Sequence, residues 1–284
     1  KLETPQEFSQ VQKQLQALQL DGLVIVGGDD SNSNAAHLAE FLLQAGETCA
    51  IVGVPKTIDG DFANPWTEIS FGFHTACLVY AELLGNLGKD ALSAKKYYYF
   101  VKVMGRSASH IVLECALQTQ PNYVLLGEEI SFLGKTLQRV VEEIADLVVK
   151  RALAGKSYGL IVVPEGVIEA FPDFRQLLQE LQGQQELSLE KLSAQAQDTF
   201  QSIPKLFQDQ LFLDRDPHGN LQVSKIETER LLMQMVADKL QQMEKKGKFA
   251  GGFQGQPLFY GYGGRSALPS NFDATYAYSL GKVS

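Results

Sequence analysis

The sequence predicts an α/β protein with two domains and mostly parallel sheets. Short runs of β-branched and other apolar residues alternate with amphipathic helical segments almost from the start of the chain, and this alternation is typical of βαβ units. The chain has 284 residues, and a prior of about 150 residues per domain suggests two domains. The composition is 45% hydrophobic and 20% charged, which excludes collagen-like and largely disordered chains.

The first strands and helices follow from this pattern. The run Leu23–Val26 predicts a buried strand that ends at Gly27-Gly28. Ser31 or Asn32 is expected to cap the helix that follows. A second strand is expected at Cys49–Val54. Three further runs of the same character predict strands, at Tyr97–Val103, Tyr123–Leu126 and Gly159–Val163.

The later part of the chain changes in composition. Residues 173–201 are rich in Gln, Leu and Glu and predict an inserted helical hairpin that covers core or a subunit interface. Asp216–Asn220 predicts a turn before a short strand and a long helix at about 226–245. The tail Gly251–Gly264, rich in glycine and aromatic residues, predicts a loop held by ring packing.

Charge, hydropathy and cysteine content exclude several classes of protein. The formal net charge is −8 and basic residues form no long run, so a nucleic-acid partner is not expected. No apolar run approaches the roughly 20 residues of a membrane span. Cys49, Cys77 and Cys115 each lie in an apolar run, which indicates core side chains in a reducing compartment. The expected location is therefore the cytoplasm.

Two clusters of polar residues follow the first two strands. Gly27–Ser31 lies at a strand-to-helix turn, where backbone N–H groups and the helix dipole favour an anion. Its adjacent Asp29 and Asp30 would repel a phosphate unless one of them holds a divalent cation. Pro55–Asp61 offers a cation, a hydroxyl and carboxylates, which are the groups that phosphoryl transfer requires. The alternative for both clusters is an ordinary turn with helix-capping aspartates.

Two shorter motifs follow later strands. Met104–Ser107 places Arg106 just before a helix expected to open at Ser107, a suitable position for a sugar phosphate. In Pro164–Gly166 the Glu165 carboxylate could accept hydrogen bonds from sugar hydroxyls. Each motif taken alone is equally compatible with a structural role.

With these residues the chain resembles the pyrophosphate-dependent branch of the phosphofructokinase family, in its long form. The motifs appear in the family's order from Lys1 to Ser284. The resemblance implies the phosphofructokinase fold, with two Rossmann-like domains and an active site in the cleft between them. It implies a phosphoryl-donor domain at 1–88 with 249–284, and a fructose 6-phosphate domain at 89–248. The motifs that carry the resemblance are Gly27–Ser31, Pro55–Asp61, Lys96-Tyr97, Met104–His110, Pro164–Gly166 and Tyr262–Arg265.

The resemblance also implies roles for single residues. Asp29 matches the magnesium ligand, and Asp30 matches the carboxylate that excludes ATP by charge and volume. Lys56 matches the lysine that stabilises the transferred phosphoryl group, and Asp59 the base that takes the proton of the 1-hydroxyl. The family's contacts with the donor phosphates correspond to Gly27, Gly28, Asp30 and Ser31. Substrate contacts match Thr57, Ile58, Asp59, Lys96, Tyr97, Met104, Gly105, Arg106, Glu165, Tyr262, Gly263, Gly264 and Arg265.

The implied activity is a reversible, Mg²⁺-dependent transfer from pyrophosphate to the 1-hydroxyl of fructose 6-phosphate, a reaction of glycolysis and gluconeogenesis. Lys96 and Tyr97 match contacts that reach across an interface, so a homodimer is expected. Gly263 replaces the glutamate that the family usually has. Family members also extend beyond both ends of this sequence, so an internal fragment without turnover is expected. The alternatives are an ATP-dependent phosphofructokinase, against which Asp30 argues, and a non-catalytic regulatory subunit, against which the presence of Lys56 and Asp59 argues.

Overall fold

A computed structural model describes residues 2, 4–60, 65, 67–106, 108–182, 189–213 and 226–284. The chain divides into two compact units: residues 1–76 with 267–284 form the first unit, and residues 77–266 form the second. Both units contain parallel strands connected through helices, so the predicted α/β class is confirmed. The donor and sugar domains predicted at 1–88 with 249–284 and at 89–248 stay a prediction.

Within the described residues the strands are β1 Gly22–Gly27, β2 Ala50–Pro55, β3 Tyr98–Val103, β4 Tyr123–Val124, β5 Gly159–Pro164 and β6 Gly255–Tyr260. The helices are α1 Pro5–Ala17, α2 Asp29–Gln44, α3 Phe73–Ala94, α4 His110–Thr119, α5 Gly127–Leu133, α6 Leu137–Leu153, α7 Pro172–Leu181, α8 Ala194–Ser202, α9 Lys205–Leu213, α10 Thr228–Lys245, α11 Tyr262–Arg265 and α12 Asn271–Val283. Two 3-10 helices span Glu165–Ala170 and Leu189–Lys191. None of the described helices is both long and apolar enough to cross a membrane.

The first unit contains a βαβ element. Strand β1 pairs in parallel with β2, from Gly22 opposite Ala50 to Gly27 opposite Pro55, and α2 connects the two strands. Buried leucines of α1 and α2 form a small core against the inner face of this pair. The strands therefore end side by side, as parallel strands joined by a crossover helix must.

The two chain segments of the first unit are joined by a buried carboxylate. Asp273 of α12 is fully buried. One of its oxygens accepts a hydrogen bond from the Gly72 N–H at 3.0 Å. The other accepts from the Thr75 N–H at 2.8 Å and from the Thr75 hydroxyl. Asp273 thus satisfies backbone donors at the start of α3, which intrahelical bonds leave open.

The second unit is built on a parallel sheet with the strand order β4-β5-β3-β6. Every residue of β3 and β5 is buried, as expected for central strands covered on both faces. The predicted helical insertion is confirmed in the described residues, because α7 and α8 occupy this region. Apolar side chains of both helices are buried in the main core of the unit.

Three local expectations are wrong. Helix α2 begins at Asp29 with Gly28 as its cap, so neither Ser31 nor Asn32 caps it. Helix α4 begins at His110 rather than at Ser107, which lies outside the described residues. The expected loop in the tail contains β6. The predicted turn at 216–220 and the short strand after it also lie outside the described residues.

Candidate active site

The first two predicted clusters lie next to each other in the first unit. Because Gly27 is paired opposite Pro55, the chain leaves β1 and β2 at the same side of the sheet. This side, at the carboxyl ends of the strands, is called the carboxyl edge, or simply the edge. The Lys56 N–H donates to the Gly27 carbonyl oxygen at 2.6 Å. Ligands of open α/β sheets bind at the carboxyl ends of the strands, and this edge carries both clusters.

The turn from β1 into α2 is held by a side chain whose role the sequence did not reveal. The Asn32 amide donates to the Gly27 and Gly28 carbonyl oxygens, each at 2.8 Å. A Cβ atom on Gly27 would collide with the Ser31 side chain, so the tight turn requires glycine there. Helix α2 begins at Asp29, so its first turn presents backbone N–H groups and the positive end of the helix dipole at this turn. The turn therefore has the geometry of an anion site.

Asp29 and Asp30 lie in this first turn with exposed side chains. Magnesium is usually held by one or two carboxylates together with waters and substrate phosphates rather than by an all-protein cage. No group of three potential metal-ligating side chains occurs in the described part of the chain. A single aspartate beside an anion site matches this kind of donor set, so the residues present fit magnesium.

The segment after β2 forms a compact turn. The Thr57 hydroxyl oxygen accepts from the Asp59 N–H at 3.2 Å. The Gly60 N–H donates at 3.2 Å to the hydroxyl of fully buried Ser70, and Gly60 has a φ of +73° that favours glycine. Lys56 is exposed, whereas residues 57–59 are half-buried. The lysine and the aspartate are thus fixed on one short loop; Asp61, the last residue of the predicted cluster, lies outside the described residues.

Three other motifs meet at the carboxyl edge of the sheet in the second unit. Val103 at the end of β3 is opposite Pro164 on one side and Tyr260 on the other. The segments that begin at Met104, Glu165 and Gly261 therefore leave adjacent strands together. The first and last of these motifs are more than 150 positions apart in the sequence, and the parallel pairing brings all three together.

The Met104–Arg106 and Glu165–Gly166 turns are in direct backbone contact. The Gly166 N–H donates to the Gly105 carbonyl oxygen at 3.1 Å. A Cβ atom on Gly166 would overlap the Arg106 carbonyl oxygen. Gly105 has a φ of +130°, in the region that favours glycine. The Arg106 side chain is exposed, so the turn presents a guanidinium at this edge.

Glu165 points one polar atom into the protein. Its Oε2 atom is buried and has no hydrogen-bond partner among the described residues. Buried polar atoms normally find a partner, so this oxygen is suited to accept a hydrogen bond from a hydroxylated ligand.

The Tyr262–Arg265 segment forms the short helix α11. Tyr262 and Arg265 are exposed, and the Arg265 guanidinium carbon lies 4.6 Å from the centre of the Tyr262 ring. Gly264 is buried, whereas a Cβ atom on Gly263 would meet nothing within 4 Å. The position at which the family usually has glutamate therefore has room for a side chain.

A cavity of about 350 Å³ adjoins the Gly105-Arg106 turn. Glu128 and Arg175 also line it, although neither residue belongs to a motif that the sequence predicted. The Glu128 carboxylate accepts from the Ser109 N–H at 2.8 Å. Burial raises the pKa of Glu128, but hydrogen bonds with Ser109 outweigh this effect and lower it overall. Glu128 lies two positions after the predicted strand Tyr123–Leu126, and this position is a signal that could have indicated it.

Lys96 and Tyr97 are not brought to this edge. They immediately precede β3, whereas Met104 immediately follows it. At about 3.3 Å per residue, the six residues of β3 separate the two ends by about 20 Å. The Lys96 ammonium nitrogen lies 5.3 Å from the centre of the Tyr97 ring.

Comparison with known proteins places these motifs in a family. The family model described as phosphofructokinase matches residues 1–283. The β subunit of pyrophosphate--fructose 6-phosphate 1-phosphotransferase from Solanum tuberosum is 50% identical over 99% of this chain. The enzyme of the same name from Treponema pallidum is 46% identical, and the α subunit from Solanum tuberosum is 42% identical. These alignments cover 51%, 52% and 47% of the three relatives, so the chain spans about half the length of the curated relatives it matches.

A solved structure gives the same result for the fold. The pyrophosphate-dependent phosphofructokinase from Marinobacter aquaeolei superposes with a TM-score of 0.60 at 18% identity, covering 100% of this chain and 55% of the other. At that identity the superposition supports the fold alone. Together with the match along residues 1–283, it confirms the resemblance carried by the sequence motifs: the chain belongs to the phosphofructokinase family.

Proposed function

We propose that the protein transfers a phosphoryl group between pyrophosphate and the 1-hydroxyl of fructose 6-phosphate. The observation that carries the proposal is the edge formed by β1 and β2. There the Gly27–Ser31 anion turn and the Lys56–Asp59 loop lie side by side, tied by the bond from the Lys56 N–H to the Gly27 carbonyl. Phosphoryl transfer requires this pairing of an anion cradle with a cation and a carboxylate. The names of the 42–50% identical relatives support the same reaction.

The roles of the residues follow from their chemistry. Asp59 accepts the proton of the sugar 1-hydroxyl as its oxygen forms a bond to phosphorus. The bond from that phosphorus to the bridging oxygen of pyrophosphate breaks, and inorganic phosphate leaves with the bridging oxygen. Lys56 stabilises the negative charge on the transferred group. Because one phosphoric ester or anhydride is exchanged for another, the reaction is reversible.

Asp29 and Asp30 have different proposed roles in the donor site. Asp29 binds the metal, and Asp30 determines which donor is accepted. Asp29 would hold Mg²⁺, which when bound neutralises charge on the donor phosphates. Asp30 places a second carboxylate in the same turn, where a nucleotide would bring a further phosphate group. Like charges at that position disfavour ATP, so pyrophosphate is the proposed donor.

The sugar phosphate is proposed to bind at the β3, β5 and β6 edge of the second unit. Arg106 and Arg265 supply cations for the 6-phosphate. The buried Oε2 atom of Glu165 accepts a hydrogen bond from a sugar hydroxyl. Met104 and the glycines of both turns line the same edge.

We also propose that the protein acts in the cytoplasm as an assembly of subunits. Lys96 and Tyr97 lie about 20 Å along β3 from the Met104 end, which supports a role at a neighbouring subunit rather than at the same edge. The subunit names of the Solanum tuberosum relatives also support an oligomer.

The test is a coupled assay with fructose 6-phosphate, Mg²⁺ and either pyrophosphate or ATP. Both the 284-residue chain and the same chain within its complete gene product are assayed. An Asp59→Asn variant removes the proposed base, and Asp146→Asn changes an exposed aspartate of α6 as the matched control.

Activity with pyrophosphate that Asp59→Asn reduces at least about 100-fold, with Asp146→Asn unaffected, supports the proposal. Activity with ATP alone would contradict the role given to Asp30. A gene product that is silent with both donors would contradict catalysis and favour a regulatory subunit. Activity of the gene product without activity of the 284-residue chain would locate a further requirement outside these residues.

A further inference from the structure

Tyr80 of α3 lies against the residues of the proposed sugar-phosphate site and belongs to none of the sequence motifs. Its side chain is fully buried. The Tyr80 hydroxyl donates to the Gly261 carbonyl oxygen at 2.6 Å. Gly261 is the cap residue that precedes α11, so this bond fixes the backbone where the Tyr262–Arg265 segment begins.

The same hydroxyl also lies near a second motif. The Met104 backbone N–H is close enough to the Tyr80 hydroxyl to lower its pKa. Met104 begins the turn that carries Arg106. The Tyr80 hydroxyl therefore lies between the segment after β3 and the segment after β6, and it donates to the latter.

The ring of Tyr80 adds a steric contact to these polar ones. A Cβ atom on Gly264 would overlap the ring carbons of Tyr80 and come within 2.8 Å of its hydroxyl oxygen. The backbone of α11 thus rests directly on the phenol face. Any side chain at position 264 would lift the helix, and Arg265 with it, away from its place.

The Tyr80 hydroxyl keeps its proton at neutral pH. Burial raises the pKa of Tyr80 well above its usual value, and the nearby Cys115 and Glu165 raise it further. Arg265 and the Met104 N–H act in the opposite direction, but burial prevails. Tyr80 therefore remains a hydrogen-bond donor to Gly261 throughout the neutral range.

We propose that Tyr80 is a positioning residue for the sugar-phosphate site, which sets the distance between the Arg106 turn and the Arg265 helix through its hydroxyl. This inference rests on the proposed function, because it assumes that both arginines grip one phosphate. A phosphate bound by two guanidinium groups is sensitive to their separation, whereas the proton-transfer chemistry at Asp59 is not.

A second buried tyrosine of the same unit offers a matched control. Tyr98 is also fully buried, and its hydroxyl donates to the Lys156 carbonyl oxygen at 3.1 Å. It lies at the start of β3, at the end of the strand away from Met104. The variants Tyr80→Phe and Tyr98→Phe each remove one buried hydroxyl and one bond to a backbone carbonyl, and only the first removes a contact with the motifs.

The first measurement is the kinetics of the complete gene product with fructose 6-phosphate. For Tyr80→Phe we expect KM for the sugar phosphate to rise about tenfold, with kcat within about threefold of wild type. Tyr98→Phe is expected to change neither by more than about twofold. Equal changes in KM for the two variants, or no change for Tyr80→Phe, would overturn the inference. A wild-type protein without any transfer activity contradicts the proposed function instead, and the second measurement then decides the role of Tyr80.

The second measurement is hydrogen–deuterium exchange of the 284-residue chain without ligand. In Tyr80→Phe, peptides that contain residues 104–106 and 261–265 should exchange at least about fivefold faster than in wild type. In Tyr98→Phe the same peptides should exchange at the wild-type rate. Unchanged exchange in Tyr80→Phe, or an increase spread evenly over the whole second unit, would show that the hydroxyl does not hold these segments.

Discussion

The contact between Gly166 and Arg106 makes a quantitative prediction for the variant Gly166→Ala. The added Cβ atom would overlap the Arg106 carbonyl oxygen and stand 2.6 Å from its carbonyl carbon. Both partners are backbone atoms, so no side-chain rotation relieves the overlap and the two turns must move apart. The bond from the Gly166 N–H to the Gly105 carbonyl, now 3.1 Å long, would be lost.

The magnitude follows from these two effects. Losing a backbone hydrogen bond destabilises a protein by about 1 kcal/mol, and forcing an extra methyl group into a packed site costs about 1–3 kcal/mol. We therefore expect Gly166→Ala to lower the free energy of unfolding by about 2–4 kcal/mol. Urea denaturation of the 284-residue chain, followed by circular dichroism, measures this difference.

Gly85 provides the matched glycine-to-alanine control. It lies inside α3, and a Cβ atom there would meet nothing within 4 Å. Because alanine favours the helical backbone, Gly85→Ala should stabilise the protein by up to about 1 kcal/mol. A free energy of unfolding of Gly166→Ala within about 0.5 kcal/mol of wild type would show that the overlap with Arg106 does not destabilise the protein.

Three further predictions concern the donor turn and the cavity. Asp30→Gly should raise kcat/KM with ATP relative to pyrophosphate, and an unchanged ratio would contradict exclusion by charge. Asn32→Ala should lower the free energy of unfolding by about 1–2 kcal/mol because two glycine carbonyls lose their donor; Gln44→Ala, an exposed amide of α2, should have little effect. Burial raises the pKa of Glu128, but bonds with Ser109 lower it below the usual 4.5. Its contribution to stability is therefore present above pH 4.5 and lost as the pH falls through the folded pKa. In urea titrations from pH 7 to pH 3 the advantage of wild type over Glu128→Gln should shrink, and a constant difference would contradict this assignment.

The sequence alone indicated most strands of both units and the ends at which the motifs lie. Leu23–Val26 and Gly159–Val163 are short β-branched runs bounded by glycine or proline, and such boundaries depend on local backbone chemistry. The sites at the strand ends then follow from the general rule for parallel sheets.

Strand β6 could not be predicted in this way. It contains Gly255 and Pro257 within a glycine-rich segment, and both residues disfavour strands. Pairing with β3 places Pro257 opposite Phe100. In the described sheet β6 is the last strand in the order, and an edge strand tolerates a proline because its outer side needs no ladder bond. Tertiary pairing here overrides local preference.

The start of α2 and the contacts that hold the site in place could not be predicted from the sequence, for a related reason. A capping signal in a sequence is a side chain able to accept a bond from the helix, and Asn32 instead turns its amide back to donate to Gly27 and Gly28. Contacts such as Tyr80 with Gly261 join residues 181 positions apart. No local pattern encodes such pairs, so they emerge only from the fold.

The buried carboxylate of Asp273 has a consequence for synthesis on the ribosome. Its partner Thr75 precedes it by 198 positions. At about 5–20 residues per second, translation would produce Asp273 roughly 10–40 s after Thr75. Throughout that interval the nascent first unit lacks the residue that closes it, while residues 77–266 of the second unit are being synthesised. Folding during synthesis would therefore leave the first unit, which is discontinuous in sequence, incomplete until the second unit has been made.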